Sequence, residues 1–178
     1  MKYIALLRGI NVGGNNKVPM ADLRECLESV GLQNVQTYIN SGNVLFESEK
    51  LQATELAKVC LETMAKRFGF PINCVVIAAD DFASMVASAP SYWGAGEHRS
   101  DALFLIPPVT GQQVLDAVGP VNNEFEWLDV RDGVVFWTLR KTHLTRGRLP
   151  RMIGGDVYKQ LTIRSYTTTH KLLDLLDR

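Results

Sequence analysis

The feature that most constrains the fold is an unbroken apolar run near the start of the chain, residues 3–7, with the sequence YIALL. Apolar residues in a row, without polar alternation, are typical of a strand that is covered on both faces. Such a strand requires packed elements on either side of its sheet. The run leads into residues 9–18, a loop rich in glycine and asparagine, so we expect a well-packed strand to carry this loop.

The other elements of the first half follow an order that defines a known unit. One helix is predicted from Pro19 until Gly31 stops it, and a second from Leu51 to Phe68, ended by Gly69. Strands are predicted at residues 2–10, 35–39, 44–46 and 74–77, with an Asn-Ser-Gly-Asn turn between the second and the third. The order β-α-β-β-α-β is that of the split βαβ unit of ferredoxin-like folds.

The same order recurs in the second half, without residue-level identity between the halves. Thr110 is predicted to cap a helix, and Pro150 falls within a broken basic helix at residues 143–153. Strands are predicted at residues 102–106, 125–129, 134–139 and 161–163, and a last helix at residues 168–176. We therefore expect an α+β fold of two ferredoxin-like βαββαβ halves, residues 1–78 and 101–178, joined by a helical linker at residues 79–100 and closed by a C-terminal helix.

This topology predicts that two turns distant in sequence meet. In a split βαβ unit the first and second strands run parallel, and the third strand lies between them. The loop that follows strand one and the turn that follows strand two therefore lie at the same edge of the sheet. We expect residues 8–14 to lie beside residues 40–43, so that two turns rich in glycine and asparagine converge.

The composition of these turns favours an anion as ligand. Glycines let the backbone approach a ligand closely, and successive N–H groups in such turns form concavities that bind anions. Arg8 offers a planar fork suited to carboxylate or phosphate, and Lys17 adds a charge near a helix start without an obvious side-chain cap. The predicted ligand is a small anion or a phosphate-bearing metabolite. The predicted ligand-binding residues are Arg8, Gly9, Asn11, Gly13, Gly14, Lys17, Asn40, Ser41, Gly42, Asn43 and, from the last strand, Arg164.

A structural interpretation of the same residues stands beside this one. The glycines and asparagines can serve only to make the turns, with the amides of Asn11 and Asn43 satisfying loop backbone. The loop also departs from two phosphate-binding motifs. Gly14 is not followed by the Lys-Ser/Thr of a P-loop, and the spacing of Gly9 to Gly13 is wrong for a dinucleotide fingerprint.

Candidate catalytic residues are few. His98, His143 and His170 have no metal-ligand spacing to another histidine, cysteine or carboxylate, so neither a metal site nor a cofactor is predicted. Ser41 is better interpreted as a turn residue than as a nucleophile, because it lacks the GxSxG context. An enzyme acting on a phosphorylated or acyl substrate would need a histidine within hydrogen-bond reach of Ser41.

Charge and composition leave a second binding hypothesis open. Formal net charge is zero, but residues 140–178 carry nine Lys/Arg against three Asp/Glu. This basic segment favours a nucleic-acid-binding module as the alternative function. It ranks below anion binding, because the apolar strands predict that the aromatics they carry are buried rather than available for base stacking. Those strand aromatics are Tyr3, Phe46, Phe104, Phe136 and Trp137.

The chain carries no membrane or export signal that we recognise. No apolar stretch approaches the roughly 20 residues of a membrane span, and no signal peptide is predicted. The three cysteines, Cys26, Cys60 and Cys74, lack CxxC spacing and are typical of buried thiols in a reducing compartment. We therefore expect a cytoplasmic protein without a membrane partner.

Three stretches resemble a known family. LLRGINVGGNNKVPM, TYINSGNVLFES and LTIRSYTTTHKLLDLL are similar to the large bacterial family called domain of unknown function 1697. The resemblance covers essentially the whole chain and implies a small protein of two ferredoxin-like halves. It supplies no activity, so no catalytic residue is carried over. It does imply shared segments at residues 8–14, 37–43 and 162–168, and family members often have asparagine where this chain has Ser165.

Overall fold

The computed structural model describes residues 1–49 and 52–177. The first half runs β1 (Lys2–Leu7), α1 (Met20–Glu28), β2 (Gln33–Tyr38), β3 (Asn43–Glu47), α2 (Ala53–Phe68), β4 (Cys74–Ala78) and α3 (Ala79–Ala87). The second half runs β5 (His98–Leu105), α4 (Gly111–Val118), β6 (Glu126–Arg131), β7 (Val134–Arg140), β8 (Leu161–Ser165) and α5 (Tyr166–Leu176). Leu51, predicted as the first residue of the second helix, lies outside the described residues.

The first sheet has the strand order β2-β3-β1-β4, and all its neighbouring strands are antiparallel. Alternate residues of β1 point to the helices, while Ile4 and Leu6 on the opposite face are 0% exposed. The strand is therefore covered on both faces, as its unbroken apolar run predicts. The core on the helical face includes Tyr3, Ala5 and Leu7 of β1, Leu23 and Leu27 of α1, and Leu56, Cys60 and Met64 of α2.

The second sheet repeats this arrangement with the order β6-β7-β5-β8. Its neighbouring strands are also antiparallel. Thr110 caps α4 as predicted: its hydroxyl accepts a hydrogen bond from the amide of Gln113. The core on one face combines Leu103 and Leu105 of β5 with Val135, Trp137 and Leu139 of β7 and Val114 and Val118 of α4.

The prediction of a broken helix at residues 143–153 is wrong. Three short 3-10 turns, Lys141–His143, Leu149–Met152 and Tyr158–Gln160, occupy the stretch between β7 and β8. Gly147 and the Gly154–Gly155 pair flank the middle turn, and Pro150 lies at its start, so an α-helix has no uninterrupted stretch in which to propagate. Within residues 101–177, the described part of the second half, no helix corresponds to α2.

The described chain divides into two compact units. The first comprises Met1–Ala83 together with the end of the chain from Leu172, and the second comprises Ser84–Lys171. The division falls within α3 and α5, and β5 begins at His98, inside the segment predicted as a linker. The predicted domain ranges 1–78, 79–100 and 101–178 stay a prediction.

All three cysteines lie in the first unit, and each is a buried free thiol. Burial raises the pKa of Cys60 to about 12, and it also raises the pKa of Cys74. Burial raises the pKa of Cys26 too, against the opposing effect of Arg67. Deep burial suppresses the thiolate that reacts with electrophiles or metals, so these residues act as small apolar side chains.

None of the helices within residues 1–49 and 52–177 combines the length and the apolar character of a membrane span.

Candidate functional site

The two turns that topology predicts to converge do lie against each other at one edge of the first sheet. The amide of Leu7 donates to the carbonyl of Gly42 at 2.8 Å, and Nδ2 of Asn11 donates to the carbonyl of Asn40 at 3.0 Å. In the register of β1 with β3, Leu6 lies opposite Asn43. We call residues 8–18 together with residues 39–43 the rim.

Residues 11–16 of the rim form a small hairpin that projects from the protein. The backbone amide of Asn11 donates to the backbone carbonyl of Asn16 at 3.0 Å. The backbone amide of Asn15 donates to the backbone carbonyl of Val12 at 3.1 Å. Gly13 and Gly14 at its tip have φ of +60° and +80°, the pair of positive angles that a tight type I′ turn requires. All six residues are exposed, so the tip presents backbone to solvent.

Asparagine amides fix the base of this hairpin. The side-chain Nδ2 of Asn11 donates to the backbone carbonyls of Val18 and Asn40. The side-chain Oδ1 of Asn11 accepts from the backbone amide of Val18 at 2.8 Å. Asn16 reaches across with Nδ2 to the carbonyl of Gly9 at 3.1 Å. Arg8 and Lys17 flank this base in sequence, Arg8 half-buried and Lys17 exposed. The rim therefore has one cationic residue on each side of a fixed backbone loop in the sequence.

The turn after β2 is held from inside. Asn43 is 0% exposed, and its Nδ2 donates to the carbonyl of Tyr38 and to Oγ of Ser41. Asn11 and Asn43 thus bond to loop backbone, as the structural interpretation expects, and their part in ligand binding stays a prediction. Since Ser41 accepts from an amide, which is not a base, this contact supports a turn-forming serine.

Two kinds of glycine occur at the rim. A Cβ on Gly42 would lie 2.6 Å from Cβ of Leu7, so this glycine is required by packing. A Cβ on Gly9, Gly13 or Gly14 would meet no atom within 4 Å. These three glycines are required only for their positive φ, and the space beside them is open to a ligand.

Ile39 is an unexpected feature of the rim. This β-branched residue has φ of +50° and is 49% exposed. Left-handed backbone at such a residue is strained by about 1–3 kcal/mol, and strain of this kind clusters at functional sites. The sequence gives no signal for it, because isoleucine after a strand usually continues the strand.

Arg164, the last predicted ligand residue, lies in the second unit. It is 7% exposed, and its Nη1 donates to Oγ1 of Thr162 at 2.8 Å and to the carbonyl of Ile163 at 2.9 Å. Burial lowers the pKa of Arg164 to about 10. Its proposed part in ligand binding stays a prediction, and its observed contacts tie β8 together.

The histidines make contacts of their own within the second unit. Nδ1 of His98 lies 3.3 Å from the carbonyl of Tyr92, and Nδ1 of His143 lies 2.8 Å from Oγ1 of Thr142. The ring of His170 packs on Tyr166 with centroids 4.3 Å apart. Among the described residues, no group of three His, Cys, Asp or Glu side chains is arranged to hold a metal ion.

The aromatics considered for base stacking are buried. Tyr3, Phe46, Phe104, Phe136 and Trp137 are each at most 4% exposed. Two half-buried aromatics went unnoticed in the sequence: Phe125 stacks on His143 at 4.4 Å, and Trp127 has the guanidinium of Arg140 5.8 Å from its centroid. One contact ties the basic segment to β6 and the other to the residue before it, so the nucleic-acid alternative rests on charge alone.

Sequence reasoning also missed a buried carboxylate, Glu126, which is 0% exposed. Its Oε1 accepts from Nε1 of Trp137 at 2.8 Å, and both carboxylate oxygens accept from the amide of Arg148 at 2.7 and 2.8 Å. The amide of Leu149 donates to Oε1 at 3.2 Å. This carboxylate holds the start of the middle 3-10 turn and has a structural role.

The fold and the comparisons agree on the class of protein. Two four-stranded antiparallel sheets with ferredoxin-like strand order, with α-helices and a C-terminal helix in the described residues, define a mixed α+β protein. The chain belongs to the DUF1697 family of proteins of unknown function, whose model matches residues 1–136.

A solved structure has a similar architecture over nearly the whole chain. It is that of the conserved bacterial protein SP0830 from Streptococcus pneumoniae, which is 30% identical, with 98% of each chain covered and a TM-score of 0.88. No curated protein matches the chain. The family is one of unknown function and the neighbour is described as a conserved bacterial protein, so neither comparison assigns an activity to this chain.

Proposed function

We propose that the protein binds a small anion, or the phosphate group of a metabolite, at the rim. The observation that carries this proposal is the meeting of two turns through Leu7–Gly42 and Asn11–Asn40 hydrogen bonds. Open space beside Gly9, Gly13 and Gly14 gives a ligand access to backbone, and Arg8 and Lys17 bring positive charge. The strained backbone of Ile39 at the same rim adds support.

The proposal takes the protein to be cytoplasmic, because three buried free thiols suit a reducing compartment.

Titration of the full chain with inorganic phosphate and with pyrophosphate, followed by amide chemical shifts, tests the proposal. We expect shifts at Gly13 and Gly14, and at least a tenfold weaker affinity in Arg8→Gln, since charge-assisted hydrogen bonds contribute about 1.5–3 kcal/mol. Arg67→Gln is the matched control: it removes the same charge in the same unit, from a side chain 49% exposed that pairs with Glu25. Thermal denaturation of each variant separates lost binding from lost folding. Absence of shifts at the rim, or equal affinity in Arg8→Gln and Arg67→Gln, overturns the proposal.

A further inference from the structure

A cavity of about 630 Å³ lies in the second unit, where the first residues of β5 come near the first residues of α5. Its volume is within the range of about 300–1,000 Å³ that small-molecule sites occupy. Arg99, Asp101, Lys141 and Tyr166 are among the residues that line it. All of them lie within the second unit, so this cavity shares no residue with the rim.

Arg99 is held in place while part of its guanidinium remains open. Its Nε donates to Oδ2 of Asp101 at 3.1 Å, and its Cζ lies 5.2 Å from the ring centroid of Trp137. The Arg99 side chain is nevertheless 59% exposed, whereas that of Asp101 is 8% exposed. Within the part of the chain that the structure describes, the two terminal nitrogens of Arg99 donate no hydrogen bond. A guanidinium fixed along one edge in this way offers the other donors to a carboxylate or phosphate.

The remaining charges leave the cavity positive. Asp101 neutralises Arg99, and burial raises the pKa of Asp101 despite that neighbour. Lys141 is a second cation, whose Nζ donates to the carbonyl of Gly96 at 2.8 Å. His98 also faces the cavity, and its ring packs on Trp127.

The first turn of α5 adds to this positive character. Its residues Tyr166 and Thr167 line the cavity, and a helix N-terminus favours negative charge. Ser165 caps the helix by accepting from the amide of Thr168 at 3.3 Å. Serine is among the residues preferred at a helix N-cap, so this hydrogen bond keeps the first turn of α5 ordered.

An aromatic wall completes the cavity. The ring of Tyr166 is packed edge-on against Trp93 with centroids 4.9 Å apart, yet Tyr166 remains 36% exposed. Gly94 lies directly against this ring, because a Cβ at that position would be 2.1 Å from Cε2. The packing fixes the ring in place, so it can receive the apolar part of a ligand.

We propose that this cavity binds a small organic molecule with a single carboxylate or phosphate group, the anion lying on Arg99 and Lys141 and the apolar part against Tyr166. The proposal concerns a second site and does not depend on anion binding at the rim. Carboxylate and phosphate share the recognition chemistry, and the experiment separates them.

The test is a titration of the isotopically labelled full chain with benzoate in one arm and phenyl phosphate in the other. We expect amide shifts at Gly94, Gly96 and Thr167 with at least one probe, and a Kd at least tenfold higher in Arg99→Gln. The better probe identifies the anionic group. Lys141→Gln, an exposed substitution that leaves the Arg99–Asp101 pair intact, should raise the Kd severalfold.

Two controls make the outcome decisive. Arg8→Gln, at the rim, should leave these shifts unchanged, so failure of one proposed site is distinguishable from failure of the other. Arg146→Gln removes an exposed cation of the same basic segment and should leave the Kd unchanged. Absence of shifts at the cavity with both probes, or equal Kd values for the wild type, Arg99→Gln and Lys141→Gln, overturns the proposal.

Discussion

The two units each contain an irregular segment, and they hold it by different means. In the first unit, residues 8–18 are fixed by the side-chain amides of Asn11 and Asn16, two residues that are exposed and uncharged. In the second unit, the stretch between β7 and β8 is fixed by Glu126, which is charged and fully buried. The first segment can therefore project into solvent, whereas the second takes the place of a helix and covers a core.

The difference shows how an irregular segment can replace a helix. In the first unit α2 covers the sheet with Leu56, Cys60 and Met64, spaced four residues apart on one helical face. In the second unit the 3-10 turn contributes Leu149 and Met152, and the carboxylate of Glu126 satisfies the backbone amides that an α-helix would have paired internally. A buried charge does here what regular backbone hydrogen bonding does elsewhere.

The largest expected effect is that of Glu126→Ala. This substitution leaves three donors unsatisfied: Nε1 of Trp137 and the backbone amide of Leu149, which are buried, and the backbone amide of Arg148, which is half-buried. At about 1–3 kcal/mol for each donor left without an acceptor, the sum is about 3–9 kcal/mol. Because water can reach the half-buried amide of Arg148, we expect the free energy of unfolding to fall by about 3–5 kcal/mol. Chemical denaturation followed by circular dichroism measures the loss.

Two further substitutions define the cause. Glu126→Gln keeps one acceptor oxygen and should be roughly half as destabilising. Glu124→Ala, an exposed neighbour, should change stability by less than about 0.5 kcal/mol. If Glu126→Ala matched Glu124→Ala, the carboxylate would not be the group that holds the second segment.

An intermediate effect is expected from Gly42→Ala, which tests how the first segment is seated. The new Cβ would lie 2.6 Å from Leu7 and 2.9 Å from Ile10, at a residue with φ of +78°. We expect a loss of about 2–4 kcal/mol. Gly13→Ala meets only the strain of positive φ and should cost about 1 kcal/mol. If thermal denaturation showed the same loss of stability for Gly42→Ala and Gly13→Ala, Gly42 would not be tightly packed against Leu7 and Ile10.

The smallest effects are expected from the asparagines. Asn11→Gly keeps the permitted positive φ and removes three hydrogen bonds, so we expect a loss of about 1–2 kcal/mol. Asn16→Gly removes one exposed hydrogen bond and should cost about 0.5 kcal/mol. Amide hydrogen exchange within residues 11–18 measures both. A larger loss of stability in Asn16→Gly than in Asn11→Gly would mean that Asn16, not Asn11, contributes more to holding the hairpin.

Much of the fold was predictable because its signals are local. The apolar run of β1, the glycine after α2 and the Thr110 cap each specify an element from a few neighbouring residues. The helix predicted at residues 143–153 is wrong because Glu126, distant in sequence, supplies the hydrogen bonds that set the shape of this stretch.

The candidate site was predictable in outline only. Strand order alone brings Asn11 and Asn40 together, since parallel strands end at the same edge. The strain at Ile39 and the fixed guanidinium of Arg99 depend on packing from several elements, which no window of sequence contains. The side chains that line the second cavity could therefore not be predicted to lie together from the sequence.

The distribution of two residue types gives each unit its own optical and chemical reporter. Every thiol, Cys26, Cys60 and Cys74, lies in the first unit, and every indole, Trp93, Trp127 and Trp137, lies in the second. Because burial suppresses the thiolates of Cys60 and Cys74, a disulfide dye can label these two only when the first unit opens. Indole emission follows the second unit in the same sample, so the unfolding of the two units can be timed separately without any engineered residue.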